Sequence, residues 1–304
     1  MVSLTELNKA RNLELPTRED MLHRAPSVQQ FWEKNNTLFV EAWKQWEQSA
    51  EQNLVTLDDS LLDARLREAI LAAWENPTKE LAVRDLWHEV SPDVYQCQFF
   101  DPERLTDLRS YLDSASDASI PLRPPYGIVL NRAGMMLDRR SPGYLAAPGF
   151  QSFYNSLMDK FVRPTARLLF PEITGYDTQT FGFSIRYQPS TDTSIQPHTD
   201  ASSITLNINL NLPNEIFDGS AVDFLNSTNG EVNQFTFAPG VAVMHRGHIP
   251  HAARSITNGE RTNMVLWLYG DRGQIAHNVK QTPSLSADKR WSVPSSPKDQ
   301  FAPF

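Results

Sequence analysis

Gln196-Pro-His198-Thr-Asp200-Ala-Ser-Ser-Ile204-Thr-Leu-Asn-Ile-Asn-Leu-Asn211 is the stretch on which the reading of this chain turns. From Thr205 onward the residues alternate: Thr205, Asn207, Asn209 and Asn211 against Leu206, Ile208 and Leu210. Successive side chains of an extended strand point to opposite faces, so this pattern predicts a strand with one polar and one apolar side. A polar face ordinarily meets water. If a helical layer covers the apolar face instead, the polar face lines a wet interior that can hold a ligand. Just upstream, His198 and Asp200 are two residues apart, a spacing that aims an imidazole and a carboxylate at one point.

The neighbouring sequence has the same β character. Phe181–Tyr187, Ile204–Asn211, Ala221–Asn226, Gln234–Ala238, Val241–His245 and Thr262–Tyr269 are short runs rich in β-branched and aromatic residues, separated by Asp218-Gly219, Asn229-Gly230, Pro239-Gly240 and Asn258-Gly259. Such turn dipeptides between closely spaced short strands predict a sandwich or jelly roll. The first third reads differently. Val28, Phe31, Trp32, Leu38, Phe39, Ala42, Trp43 and Trp46 predict an amphipathic helix over Ser27–Gln48, with further helices over Ser60–Trp74, after Asp101 and over Gly149–Phe170. Trp32, Trp43, Trp46, Trp74 and Trp87 all fall in this region, and core packing is the expected use of them over a peptide-binding surface. The tail from Lys280 to Phe304, with four prolines, reads as extended chain on the surface or frayed.

Composition narrows the function classes. The 304 residues carry 28 basic and 36 acidic side chains, a net charge of −8, which offers no broad basic field, so no nucleic-acid partner is expected. No stretch approaches the roughly 20 apolar residues of a membrane span, and the first residues lack the apolar run of a signal peptide; no membrane is expected and a cytoplasmic location is. Cys97 is the only cysteine. It excludes an intramolecular disulfide and cysteine-rich metal sites, leaving nitrogen and oxygen as ligands for any metal.

Three of the seven histidines cluster at His245, His248 and His251. One of them, with His198 and Asp200, would complete a two-histidine, one-carboxylate facial triad, a donor set that leaves positions open on Fe(II). Ten residues beyond His251 stands Arg261, opening a β-rich run. An arginine there is ordinarily a solvated strand end, but beside a metal its planar fork suits the far carboxylate of a dicarboxylate.

With Phe183-Ser-Ile-Arg-Tyr187, the 196–211 stretch, Pro239-Gly-Val-Ala-Val-Met-His245-Arg-Gly-His248-Ile-Pro-His251 and Gly259-Glu-Arg261 in order, the chain resembles the Fe(II)/2-oxoglutarate-dependent dioxygenases. Within them it is similar to the prolyl and lysyl hydroxylase-like branch, including the 2-oxoglutarate and iron-dependent oxygenase domain-containing proteins. The likeness runs from about Pro124 to Gly270; Tyr126-Gly-Ile-Val-Leu130 and Arg163–Glu172 share it. It implies an α+β fold: a double-stranded β-helix (jelly roll) core over 121–279, a helical N-terminal region over 1–120 packed against it, and the extended tail over 280–304.

The resemblance makes His198, Asp200 and His251 the iron ligands and catalytic centre. His245 and His248 are the rivals for the third position, and neither has the ten-residue spacing to Arg261. Arg261 becomes the partner of the 2-oxoglutarate C5 carboxylate, and Tyr187 and Asn207 further cosubstrate contacts. Fe(II), 2-oxoglutarate and O2 are the implied cofactors, with ascorbate as an accessory reductant. The implied reaction hydroxylates an unactivated C–H bond of an amino acid, a small metabolite or a peptidyl residue and releases succinate and CO2. A carboxylate at position 200 disfavours halogenation, and the missing secretory signal disfavours collagen as substrate. Two rivals stand beside this reading: a non-catalytic jelly-roll binding module, against which the intact site residues count, and a cupin-like metalloenzyme using no 2-oxoglutarate, which Arg261 disfavours. The chain departs from the family at Ile216–Phe224, where Ser220 stands in place of the second glycine of a Gly-Gly pair, which puts that turn's conformation in question.

Overall fold

A computed structural model describes residues 5–23, 25–50, 54–125, 133–226, 229–276, 285–293 and 299–303. Tyr126–Leu130 and His277 lie outside these described residues.

Twelve strands are present among the described residues: β1 His88–Ser91, β2 Val94–Gln98, β3 Gln179–Tyr187, β4 Ile195–His198, β5 Ile204–Asn209, β6 Asp218–Gly219, β7 Val222–Leu225, β8 Val232–Phe235, β9 Val241–Arg246, β10 His251–Ala253, β11 Ile256–Asn258 and β12 Arg261–Tyr269. They form a six-stranded sheet in the order β1-β2-β9-β5-β12-β3, a four-stranded sheet in the order β4-β10-β7-β8, and the pair β11-β6. Every pairing is antiparallel. With helices gathered on one side, this is an α+β arrangement.

The alternation in β5 decides how the layers stack. Leu206, Ile208 and Leu210 join Met264, Leu266 and Leu268 of β12 in the core that the helices cover. The other face of the six-stranded sheet meets the four-stranded one. Phe181, Phe183, Ile185, Val265 and Trp267 pack with Ala253 of β10, and Val94 and Val243 pack with Val222, Phe224 and Phe235 of β7 and β8. The polar side of β5 therefore points between two sheets rather than into bulk water.

The helical layer follows its sequence. Pro26–Ala50 buries Val28, Trp32, Phe39, Ala42, Trp43 and Trp46, a stripe with the three-and-four spacing of one helix face. Ala64–Glu75 starts at Asp63, whose carboxylate accepts from the backbone N–H groups of Arg65 and Leu66 and so satisfies donors that the first turn leaves open. Leu105–Asp117 follows, and Pro148–Ser156 runs through a π-helical stretch, Leu157–Val162, into Arg163–Leu169. Gly182 of β3 gives this layer its close approach: a Cβ there would sit 2.5 Å from the Tyr154 hydroxyl.

Two expectations need correction. The first 120 residues are not wholly helical, because β1 and β2 lie within them and β2 pairs with β9 to extend the main sheet. The sequence His88–Gln98 hid this pair: its strands are four and five residues long, and the turn between them puts Asp93 at φ 60°, a conformation open to aspartate as well as glycine. Nor is the tail extended throughout. Ala287–Arg290 is a short helix and Trp291 behind it is buried.

Candidate metal centre

His198 ends β4, His251 begins β10, and the two are direct cross-strand partners, with ring centroids 4.3 Å apart. Asp200 lies in the bend after β4, its backbone N–H bonded to the Gly247 carbonyl at 2.8 Å. One ligand atom from each of the three residues falls within 4.8 Å of the others. His198 Nε2 stands 3.7 Å from Asp200 Oδ1, and His251 Nε2 stands 3.8 Å from Oδ2.

The ring orientations fit a cation. His198 Nδ1 meets the Gln196 carbonyl at 2.8 Å and His251 Nδ1 meets the Ile249 carbonyl at 3.0 Å. A carbonyl only accepts, so each Nδ1 carries the proton and each Nε2 presents its lone pair to the shared space. Burial, and next the neighbouring His251, push the His198 pKa down, which keeps that ring in its ligand-competent neutral form. Asp200 is held by Thr205, whose hydroxyl donates to Oδ2 at 2.6 Å and is itself 2.9 Å from the Ser202 hydroxyl. Two imidazole nitrogens and a carboxylate, with no thiolate, suit Fe(II) and leave coordination positions free. Cys97 stands apart, with burial pushing its thiol up to about 12.

Of the rival histidines, His245 is fully buried with Nε2 4.0 Å from Asp200 Oδ2, and burial lowers its pKa to about 4. It contributes no atom to the converging set. His248 is exposed in the turn between β9 and β10. His88 is exposed on β1 and His23 caps a helix, both apart from the cluster.

A cavity of about 130 Å³ adjoins the three residues, lined among others by Tyr187, Thr205, Asn207, Phe183 and Trp267. Arg261 is not in its wall but packs against one residue that is: its guanidinium carbon lies 4.3 Å from the Tyr187 ring centre, and Phe237 is 5.1 Å away on another side. Arg261 is completely buried, and among the described residues no acceptor meets its three guanidinium nitrogens in good hydrogen-bond geometry. Burial pushes its pKa down, with Tyr187 opposing. Burying an unpaired charge is costly, and among the described residues no carboxylate pairs with this one.

Three further arginines, Arg123, Arg246 and Arg254, are engaged within the protein. Arg246 pairs with Asp93 at 3.1 Å and with Glu172, Arg254 pairs with Asp223 at 2.8 Å, and Arg123 donates to the Ser141 hydroxyl at 3.1 Å. Sequence reasoning placed Thr205 on the polar face of β5 but gave it no role. Its signal was a hydroxyl five residues after Asp200 at the start of a strand.

No protein-family model matches the chain. It is 29% identical over 195 residues to the 2-oxoglutarate and iron-dependent oxygenase domain-containing protein ICU11 of Arabidopsis thaliana, a match covering 59% of this chain and 46% of that protein. To the 2-oxoglutarate and iron-dependent oxygenase domain-containing protein 2 of Xenopus tropicalis it is 30% identical over 186 residues, covering 58% and 48%. The chain thus spans about half the length of these curated relatives. Among solved structures, an oxidoreductase of the 2OG-Fe(II) oxygenase family from Burkholderia pseudomallei is similar with a TM-score of 0.44 and 19% identity, over 61% of this chain and 90% of that one. The homologues of this chain are 2-oxoglutarate and iron-dependent oxygenase domain-containing proteins, the group that its own site residues resemble.

Proposed function

We propose that this chain is an Fe(II)- and 2-oxoglutarate-dependent dioxygenase that hydroxylates an unactivated C–H bond of an amino acid, a small metabolite or a peptidyl residue, releasing succinate and CO2. The two facing sheets are, on this reading, a double-stranded β-helix, with 121–279 as catalytic core, 1–120 as a mainly helical layer that lends it β1 and β2, and 280–304 as a tail. The proposed setting is the cytoplasm; among the described residues no helix is long and apolar enough to cross a membrane.

His198, Asp200 and His251 would hold the iron, which supplies the oxygen-activating redox chemistry when bound. The protein's work is placement. Arg261 would grip the far carboxylate of 2-oxoglutarate, with Tyr187 and Asn207 beside it, so that its 2-oxo acid end reaches the metal. Phe183, Val265 and Trp267 in the cavity wall exclude water from the reacting atoms. No side chain need act as general base.

The observation that carries the reading is the buried Arg261, with no well-placed acceptor among the described residues, next to a cavity that ends at three convergent donor atoms. A dicarboxylate between the two would satisfy both. Anaerobic addition of Fe(II) and 2-oxoglutarate should produce the visible metal-to-ligand charge-transfer band, and His198→Ala or Asp200→Ala should abolish it together with substrate-stimulated succinate formation. Retained turnover in either variant under metal-replete conditions would refute the ligand assignment.

A further inference from the structure

Behind Asn207 runs a chain of buried amides whose direction is fixed at its far end. Asn211 Oδ1 accepts from the Thr262 backbone N–H at 2.9 Å, and its Nδ2 donates to the Glu260 carbonyl at 2.7 Å. A backbone N–H can only donate and a carbonyl can only accept, so the Asn211 amide has one admissible orientation. Asn209 inherits it: Nδ2 donates to Asn211 Oδ1 at 3.0 Å, and Oδ1 accepts from the Asn211 backbone N–H at 3.3 Å. That same Nδ2 also donates to Asn263 Oδ1 at 3.1 Å, which turns the Asn263 Nδ2 toward Asn207 Oδ1, 2.6 Å away.

The chain ends at the cavity. Asn209 and Asn263 are completely buried, Asn211 nearly so, and Asn207 is half-buried in the cavity wall. With its oxygen taken by Asn263, Asn207 has only its Nδ2 to offer, and among the described residues that nitrogen makes no hydrogen bond. Asn207 is also one step along the same strand face from Thr205, which holds Asp200.

We propose that Asn263, backed by Asn209 and Asn211, is a positioning residue that locks the Asn207 amide with its NH2 group toward the cavity, so that the site selects an acceptor-only ligand such as a carboxylate or 2-oxo acid. This rests on the 2-oxoglutarate reading and deepens it. A buried amide network satisfied in one direction is stiff, because reversing one member leaves donor facing donor on one side of it and acceptor facing acceptor on the other. A merely structural tie between β5 and β12 needs no particular group aimed at the cavity.

The test measures Mn(II) binding and then 2-oxoglutarate binding to the Mn(II)-loaded chain by calorimetry. Asn207→Asp keeps the acceptor for Asn263 but turns an oxygen toward the ligand; Asn263→Asp keeps the acceptor for Asn209 but can no longer donate to Asn207. Both should weaken 2-oxoglutarate binding at least tenfold, the size expected for a lost hydrogen bond to a charged group, with Mn(II) affinity held within about threefold. Asn207→Ala should weaken it less than Asn207→Asp, since it removes the donor without adding an opposing oxygen. A structural tie predicts no such order. Should Asn263→Asp fail to fold, the two Asn207 variants decide the matter, their substituted groups being at the cavity surface. Equal affinities in wild type and Asn207→Asp overturn the proposal. A wild-type chain that binds Mn(II) but no 2-oxoglutarate overturns instead the reading beneath it.

Discussion

At the scale of single residues, the centre depends on partners that carry no ligand atom. Thr205 donates to Asp200 Oδ2 and so fixes which way the carboxylate turns. Groups of this kind, one step out from a metal ligand, are worth about 10–100-fold in metal affinity. Thr205→Val, which keeps the shape and loses the hydroxyl, should weaken Fe(II) or Mn(II) binding by roughly that factor, and Thr205→Ser should restore most of it; equal affinities in all three would show that Asp200 needs no such support. Arg261, the proposed cosubstrate residue, packs against Tyr187 of the cavity wall. Arg261→Ala should raise the 2-oxoglutarate concentration for half-saturation with little change in metal affinity, because the guanidinium packs on Tyr187 and Phe237, neither of them a proposed metal ligand. An unchanged half-saturation would remove it from the cosubstrate site. His198 and Asp200 could be singled out because a spacing of two in extended chain turns sequence distance into direction, whereas Arg261, beyond β11 from His251, was marked by its ten-residue distance and the family resemblance. Thr205 and Asn263 could not, since a hydroxyl or amide on a strand face has the same signature whether it meets water or a buried partner.

At the scale of elements, the longest strands were the most legible. The expected Phe181–Tyr187 and Thr262–Tyr269 are found as Gln179–Tyr187 and Arg261–Tyr269, because each sets β-branched and aromatic residues at about half its positions and is buried on both faces. β4 and β10 carry the histidines yet are four and three residues long, with a proline in β4, so propensity gave them no mark and only the motif did. The turn between β6 and β7 answers the question raised by Ser220. Gly219 takes φ 78°, where a Cβ would meet the Ser255 carbonyl at 2.4 Å, and Ser220 follows at φ 55°. The chain thus keeps a left-handed pair with a serine in the second place, and among the described residues the buried Ser220 hydroxyl has no partner. A left-handed non-glycine residue costs roughly 1–2 kcal/mol, and an unsatisfied buried hydroxyl adds about 1 or more. Against this, glycine gives the unfolded chain extra freedom worth about 0.5–1 kcal/mol. The balance predicts that Ser220→Gly stabilises the protein by about 1 kcal/mol, a rise of roughly 2 °C in thermal midpoint. A lowered midpoint would mean that the serine makes a contact outweighing its strain.

At the scale of the whole molecule, the helical layer was legible from tryptophan spacing, while the manner in which the chain's far end joins it was not. Proline content suggested loose chain after residue 280, yet Trp291 is 5% exposed, its ring 5.8 Å from that of Trp74 and edge-on to it. Its indole N–H donates to Glu80 Oε2 at 2.9 Å, and Arg290 Nε meets the same oxygen at 2.9 Å. Glu80 is itself buried, so this contact joins two segments 210 residues apart through a carboxylate that would otherwise be left uncompensated. Composition could not show it, because a single aromatic among prolines looks the same whether it docks or drifts. Trp291→Ala should cost about 3–5 kcal/mol, the range for emptying a buried tryptophan site, and lower the denaturant midpoint accordingly. Val293, two residues on and 70% exposed, supplies the control: Val293→Ala should stay within about 0.5 kcal/mol of wild type. Matching midpoints for the two variants would mean that the tail contributes no stability in solution, and the helical layer would then have to be held to the sheet by Trp32, Trp43 and their neighbours alone.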